Sequence, residues 1–102
     1  MRIYVDIDGT ICETPKDSEG KWDYKNSEPV QLHVDKINKL FDEGHEIVYW
    51  TARGSGSGID WLEFTADQLD SWGCQYHELI CGPDKGSFDM LIDDKARRIE
   101  EI

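Results

Sequence analysis

The chain has few cysteines, no long apolar run and little positive charge. Its three cysteines, Cys12, Cys74 and Cys81, are odd in number and form no Cys-x-x-Cys pair, which argues against both a disulfide framework and a zinc site. No segment approaches the roughly 20 apolar residues of a membrane-spanning helix, and the first residues lack the pattern of an export signal. These absences predict free thiols, no membrane partner and a cytoplasmic location.

Basic side chains are outnumbered two to one. The 102 residues carry 22 acidic and 11 basic side chains, for a formal net charge of −11. A surface of that sign repels phosphate backbones, so nucleic acid is disfavoured as a partner held by charge alone. The length predicts a single domain over 1–102 with a modest core and no separately folded lid.

Short apolar runs alternate with segments of helical periodicity. Strands are predicted over 2–7, 45–50, 78–81 and 88–92. Helices are predicted over about 29–43, 60–72 and 94–102. In the second helix the side chains expected to face inward are Trp61, Leu62, Thr65, Leu69 and Trp72. This alternation predicts an α/β fold with a central parallel sheet, right-handed crossovers and helices on both faces.

Residues 12–28 interrupt the alternation with a polar stretch. Trp22 and Tyr24 are its large apolar side chains, so we expect a flap without a core of its own. The two aromatic rings either stack on a sugar or base of a ligand or pin the flap to the domain, and the sequence favours neither role.

Four polar patches each follow a predicted strand. They are Asp6-Ile7-Asp8-Gly9-Thr10, Thr51, Lys85 and Asp93-Asp94. Ligands of parallel sheets bind at the carboxyl edge, where these patches are expected to meet. A carboxylate nucleophile that attacks phosphorus needs a divalent cation, which itself needs clustered carboxylates. The patches therefore indicate Mg²⁺-assisted phosphoryl transfer through an aspartyl phosphate.

The order of these patches resembles the haloacid dehalogenase-like hydrolase superfamily, from Arg2 to about Ile99. Most members of that superfamily are phosphatases. The resemblance implies a small, capless, three-layer Rossmann-like domain that uses Mg²⁺. It implies that Asp6 is the nucleophile and that Asp8 protonates the leaving oxygen and later activates water.

Carboxylates at both ends of the chain are the expected metal ligands. Asp6, the carbonyl of Asp8 and Asp93 are predicted to bind Mg²⁺ directly. Asp94 is expected to act through a water molecule, or to cap the following helix, or to do both.

The substrate phosphate has its own set of expected ligands. Thr51 offers a hydroxyl, Lys85 offers a point charge, and Gly9 permits a tight turn whose amides form an anion-binding nest. The run from Thr51 through Ala52 and Arg53 resembles that of small sugar-phosphate phosphatases related to capsule biosynthesis, although the residue after the lysine is commonly proline there and is Gly86 here. Arg53 either grips phosphate with two hydrogen bonds or pairs with a surface carboxylate.

The sequence thus predicts a phosphatase acting on a small phosphorylated substrate, such as a sugar phosphate. Two alternatives stay open. One is a regulatory module that binds Mg²⁺ and phosphate without turnover, and the other is a phosphatase acting on a polynucleotide terminus or a phosphoprotein. Because no lid is predicted, selectivity is left to the flap, to the glycine-rich loop 54–58 or to a second copy of the chain in a homo-oligomer.

Overall fold

A four-stranded parallel sheet forms the centre of the protein. The computed structural model describes residues 1–54, 59–82, 90–92 and 99. In chain order its elements are β1 (Arg2–Asp6), β2 (Cys12–Glu13), a 3-10 turn (Tyr24–Asn26), β3 (Glu28–Pro29), α1 (Gln31–Asp42), β4 (Glu46–Thr51), α2 (Leu62–Ser71), β5 (Glu78–Cys81) and β6 (Met90–Ile92). The sheet order is β5-β4-β1-β6, and every neighbouring pair is parallel. The predicted α/β fold is confirmed.

The strand bounds differ little from those predicted. β1 ends at Asp6 and β4 extends to Thr51, one residue beyond the prediction, while β5 matches it. The last strand begins at Met90, and residues 88–89 lie outside the described residues. The third predicted helix, over 94–102, also lies outside them except for Ile99, which is buried.

Both described long helices contribute to one apolar core. From β1 the chain steps to β4 and then to β5, and two right-handed crossovers in the same direction place α1 and α2 on the same face of the sheet. The fully buried side chains on that face come from β1, α1, β4 and α2, and include Ile3, Val5, Val34, Ile37, Ile47, Tyr49 and Leu69. No helix within the described ranges is long and apolar enough to cross a bilayer.

The helices differ from the prediction in two respects, the start of α1 and the exposure of Leu62 in α2. Helix α1 begins at Gln31 and not near residue 29, because Pro29 pairs with Cys12 in the short β2–β3 ladder. In α2, Leu69 is fully buried as predicted, but Leu62 is 45% exposed. Leu62 is the first residue of α2, and the described residues leave much of its side chain uncovered.

Backbone hydrogen bonding holds the flap over residues 12–28 together at its base and near its tip. At its base β2 and β3 form an antiparallel pair that the sequence did not predict. Near its tip Lys16 and Trp22 form an antiparallel bridge, and the amide of Asp23 donates to the carbonyl oxygen of Pro15 at 2.8 Å. The flap is therefore a small closed hairpin beside the carboxyl edge of the sheet.

Candidate functional site

The carboxyl ends of β1 and β4 lie side by side. Asp6 is in register with Trp50, so that Thr51 stands one residue further along the edge. The Asp6 carboxylate accepts a hydrogen bond of 2.9 Å from the amide of Ile7, and the buried Thr51 hydroxyl accepts one of 3.2 Å from the amide of Arg53. A cleft of about 730 Å³ opens above this edge. It brings together five of the predicted site residues, Asp6, Asp8, Thr51, Ala52 and Arg53.

A tight turn carries Asp8 away from the end of β1. The amides of Thr10 and Ile11 both donate to the carbonyl oxygen of Ile7 at 3.1 Å, and Gly9 has a φ of 82°. Such a positive φ is easy for glycine and strained for other residues. Helix α1 holds the turn as well, because Nδ1 of His33 lies 2.8 Å from the carbonyl oxygen of Thr10.

Two amides of the expected anion nest are paired with protein groups. The amide of Gly9 donates to the carbonyl oxygen of Cys12 at 2.9 Å, and the amide of Thr10 donates to Ile7 within the turn. The described contribution of Gly9 is therefore the backbone turn that carries Asp8, and phosphate binding by the amides around it stays a prediction.

Arg53 holds Asp8 through both carboxylate oxygens. Its Nε donates to Oδ2 of Asp8 at 3.0 Å and its Nη2 donates to Oδ1 at 2.7 Å. Arg53 is only 3% exposed, so the pair is shielded from competing water on the guanidinium side. Arg53 therefore pairs with a carboxylate, which is one of its two expected roles, and that carboxylate belongs to the motif itself. Its role in binding phosphate stays a prediction.

The same guanidinium joins α2 and the flap. Its Nη1 donates to Oε1 of Gln68 at 2.7 Å and to the hydroxyl of Thr65 at 3.3 Å. Its Cζ lies 4.6 Å from the ring centroid of Tyr24, in cation–π contact. Gln68 in turn donates from Nε2 to the carbonyl oxygen of Tyr24 at 2.9 Å. Arg53 thus connects the flap, α2 and the candidate acid.

Flap residues complete the surroundings of Asp8. The Thr14 hydroxyl donates to Oδ1 of Asp8 at 2.6 Å and lies 2.7 Å from the hydroxyl of Ser27. The Cys12 thiol is 3.7 Å from the same Asp8 oxygen. Burial, with a further contribution from the Asp8 charge, raises the pKa of Cys12 to about 12. Cys12 is therefore a protonated, unreactive thiol at neutral pH.

Sequence reasoning missed the residues that surround Asp8 and Arg53. Thr14 and Ser27 carry no pattern that separates them from other polar flap residues. Gln68 does carry one, because it follows Thr65 by three positions and so lies on the inward stripe of α2, where a polar pair signals a buried partner. The cleft wall was also missed, since Trp61 was expected in the core and instead lines the cleft with Trp50.

The described part of the site offers hard oxygen donors. Asp6, at the end of β1, and Asp8, on the following turn, both border the cleft, and carboxylate and carbonyl oxygens suit Mg²⁺. Within ranges 1–54, 59–82 and 90–92, no three His, Cys, Asp or Glu side chains gather as a metal site would require. Lys85, Asp93 and Asp94, the other predicted ligands, lie outside the described residues.

Comparisons with known proteins bear on the fold. No protein-family model matches the chain, and no curated protein matches it. A crystal structure of an MCSG target from Vibrio cholerae is similar, with a TM-score of 0.71 and 29% sequence identity. The match covers 99% of this chain and 86% of the Vibrio cholerae chain. The name of that protein states no activity, so the similarity supports the α/β architecture and gives no information about the reaction.

Proposed function

We propose that this chain is a Mg²⁺-dependent phosphatase of the haloacid dehalogenase-like type, which hydrolyses a small phosphomonoester through a phosphoaspartate on Asp6. The observation that supports this proposal best is the meeting of Asp6, Asp8 and Thr51 in one cleft at the carboxyl edge of a parallel sheet. Ligand sites of open α/β sheets occupy that edge. Asp6 lies at the end of β1, and Asp8 follows in the turn that Gly9 permits.

The first step transfers the phosphoryl group to the protein. A carboxylate oxygen of Asp6 attacks phosphorus, the bond between phosphorus and the ester oxygen breaks, and a proton from the Asp8 carboxyl goes to the leaving oxygen. Bound Mg²⁺ would neutralise the charge that the nucleophile and the phosphate oxygens share. We assign the Thr51 hydroxyl, at the adjacent strand end, to a phosphate oxygen, and Lys85 to the complementary positive charge.

The second step returns the enzyme to its starting state. Asp8 takes a proton from a water molecule, the resulting hydroxide attacks phosphorus, and the bond to the Asp6 oxygen breaks to release phosphate. One carboxyl group serves both steps only if its orientation is fixed. The two hydrogen bonds from Arg53 and the one from Thr14 fix the orientation of the Asp8 carboxylate, the form that acts as the base in this second step.

The proposed substrate is a small phosphorylated molecule, and the resemblance favours a sugar phosphate. The proposed location is the cytosol, where unpaired thiols persist; Cys12, Cys74 and Cys81 are all free in the structure. Asp93 is proposed as a further Mg²⁺ ligand and Asp94 as a ligand through water.

Hydrolysis of p-nitrophenyl phosphate tests the proposal. Rates are compared with and without Mg²⁺ for the wild type, Asp6→Asn, Asp8→Asn and the control Asp42→Asn, which changes an exposed carboxylate at the end of α1. We expect turnover that requires Mg²⁺ in the wild type and the control, no turnover in Asp6→Asn, and a loss of about 10²- to 10⁴-fold in Asp8→Asn. Equal rates in all four proteins would contradict the proposed function.

A further inference from the structure

Aromatic rings form a large part of the cleft wall beyond the carboxylates. The cleft is lined by four large aromatic side chains, which come from the flap, from the end of β4 and from the segment before α2: Trp22, Tyr24, Trp50 and Trp61. A volume of about 730 Å³ is in the range of cavities that hold a whole metabolite or drug-sized ligand. The cleft therefore has room for a sizeable group attached to the phosphate.

Three of these rings are fixed in place by their neighbours. Tyr24 and Trp61 meet edge to face with centroids 5.1 Å apart, and Trp61 meets Phe64 in the same way at 5.2 Å. The Arg53 guanidinium covers one face of Tyr24. Trp50 is held through its ring nitrogen, which donates to the carbonyl oxygen of Gly82 at 2.8 Å. These rings are ordered before any ligand arrives, which lowers the entropy cost of binding.

Trp22 is the exposed ring among the four that line the cleft. It sits near the tip of the flap hairpin, opposite Lys16 in the ladder, with the Lys16 ammonium 4.9 Å from its ring centroid. Although it is held there, 57% of its surface is exposed. A flat ligand ring placed against Trp22 would remove apolar area from water on both partners.

The described wall offers few polar partners to a ligand. Asp6, Asp8, Thr51 and Arg53 form the polar end of the described lining, and Asp8, Thr51 and Arg53 are hydrogen-bonded to protein groups. The rest of the described lining is Ala52, Gly54, Ile59 and the aromatic rings, with Lys21 as its charged residue. A pyranose has several hydroxyl groups, each of which costs free energy when it is buried without a hydrogen-bond partner. A planar heteroaromatic or aryl ring instead offers a large stacking face, which an aromatic side chain matches.

We propose that the cleft takes a phosphomonoester whose alcohol carries an aromatic ring, in the chemical class of a nucleoside monophosphate, with the ring stacked on Trp22 and the phosphate at Asp6. This inference rests on the proposed function, because the phosphate position follows from it. It replaces the sugar phosphate that the sequence resemblance favours with a substrate that carries an aromatic ring.

Substrate preference and one flap variant test the proposal. Values of kcat/KM are measured for adenosine monophosphate, mannose phosphate and glycerol phosphate with the wild type, Trp22→Ala, Trp22→Phe and the control Leu32→Ala. Leu32 is 64% exposed on α1 and is not part of the cleft wall. We expect the wild type to prefer adenosine monophosphate, and its preference over glycerol phosphate to fall by roughly 5- to 150-fold in Trp22→Ala. Trp22→Phe should keep most of the preference and Leu32→Ala all of it.

Binding measurements separate a failure of this inference from a failure of the proposed function. Calorimetry on Asp6→Asn compares adenosine monophosphate with glycerol phosphate, with and without Trp22→Ala. Tighter binding of adenosine monophosphate that is lost with Trp22 supports the ring site even if the wild type turns over no phosphomonoester, a result that would contradict only the proposed function. Turnover of all three substrates at similar kcat/KM, or a Trp22→Ala variant with unchanged preference, would overturn the ring site and leave the phosphatase proposal standing.

Discussion

Arg53 and Asp8, 45 residues apart in the chain, form a two-point ion pair in which Nε donates to Oδ2 at 3.0 Å and Nη2 donates to Oδ1 at 2.7 Å. The guanidinium is buried at the end of β4, whereas Asp8 borders the cleft. The candidate acid is thus held by a residue that follows a neighbouring strand and is itself bonded to α2.

Replacing Arg53 with lysine should impair turnover more than stability. Lysine keeps the charge but cannot hold two carboxylate oxygens in a fixed plane, so Asp8 should lose its orientation. We expect kcat for p-nitrophenyl phosphate to fall by about 10²-fold, as is typical of small misplacements in an active site. Arg2→Lys is the matched control, because Arg2 pairs with Glu46 and Glu78 away from the cleft. If both variants kept wild-type kcat, the positioning role of Arg53 would be refuted.

Gln68 should control how firmly the flap is held. Its Oε1 accepts from Arg53 and its Nε2 donates to the carbonyl oxygen of Tyr24. Gln68→Glu keeps the first bond and loses the second, whereas Gln68→Ala loses both. We expect faster trypsin cleavage at the flap residues Lys21 and Lys25 in both variants, with kcat reduced mainly in Gln68→Ala. Cleavage at the wild-type rate in Gln68→Glu would show that the Tyr24 bond does not restrain the flap.

Two glycines with similar backbone angles should respond differently to alanine. Gly9 has a φ of 82° and open space where a Cβ would stand, so Gly9→Ala should lower the free energy of unfolding by about 1–2 kcal/mol through backbone strain alone. Gly54 has a φ of 83°, but its Cβ would lie 2.1 Å from the carbonyl oxygen of Ile59 and 3.0 Å from the Trp61 ring. Urea denaturation should therefore show a larger loss for Gly54→Ala. Equal losses would mean that the contact between Gly54 and Ile59 is not maintained in solution.

The buried thiol of Cys12 should make stability fall in alkali. Its pKa rises from the ordinary 9.0 to about 12 on folding, mainly through burial. Above pH 9 the unfolded chain therefore releases a proton that the folded chain retains, so the free energy of unfolding decreases as pH rises from about 9 towards 12. Urea denaturation near pH 8 and about pH 10 should show a smaller decrease in Cys12→Ala than in the wild type. The same decrease in both proteins would contradict burial of Cys12.

The sheet and the placement of Asp6 and Thr51 were predictable because they depend on short-range patterns. Each strand is a compact apolar run, and parallel strands bring their carboxyl ends to one edge of the sheet regardless of the conformation of the loops. The bounds of α1 were less predictable, since its start depends on the pairing of Pro29 with Cys12, a contact made across the whole flap.

The ion pair and the cleft wall were not predictable, because both depend on where loops fold back. Nothing near Arg53 in the sequence specifies Asp8 as its partner. For Trp61, periodicity shows that the ring faces inward but cannot distinguish a core from the wall of an open cleft. The positions of Lys85, Asp93 and Asp94 relative to Asp6 stay predictions.

The most direct test of the proposed mechanism is the detection of a phosphoryl group on Asp6. The Asp8→Asn variant is mixed with p-nitrophenyl phosphate and Mg²⁺, quenched in acid and digested. The mass of the peptide that contains Asp6 is then measured by mass spectrometry. The p-nitrophenolate leaves without needing a proton, whereas the second step lacks its base, so the intermediate should accumulate. The account predicts one added phosphoryl group on that peptide, which disappears in the Asp6→Asn/Asp8→Asn double variant. Turnover of the substrate by the wild type with phosphate found on another residue, or on none, would contradict it.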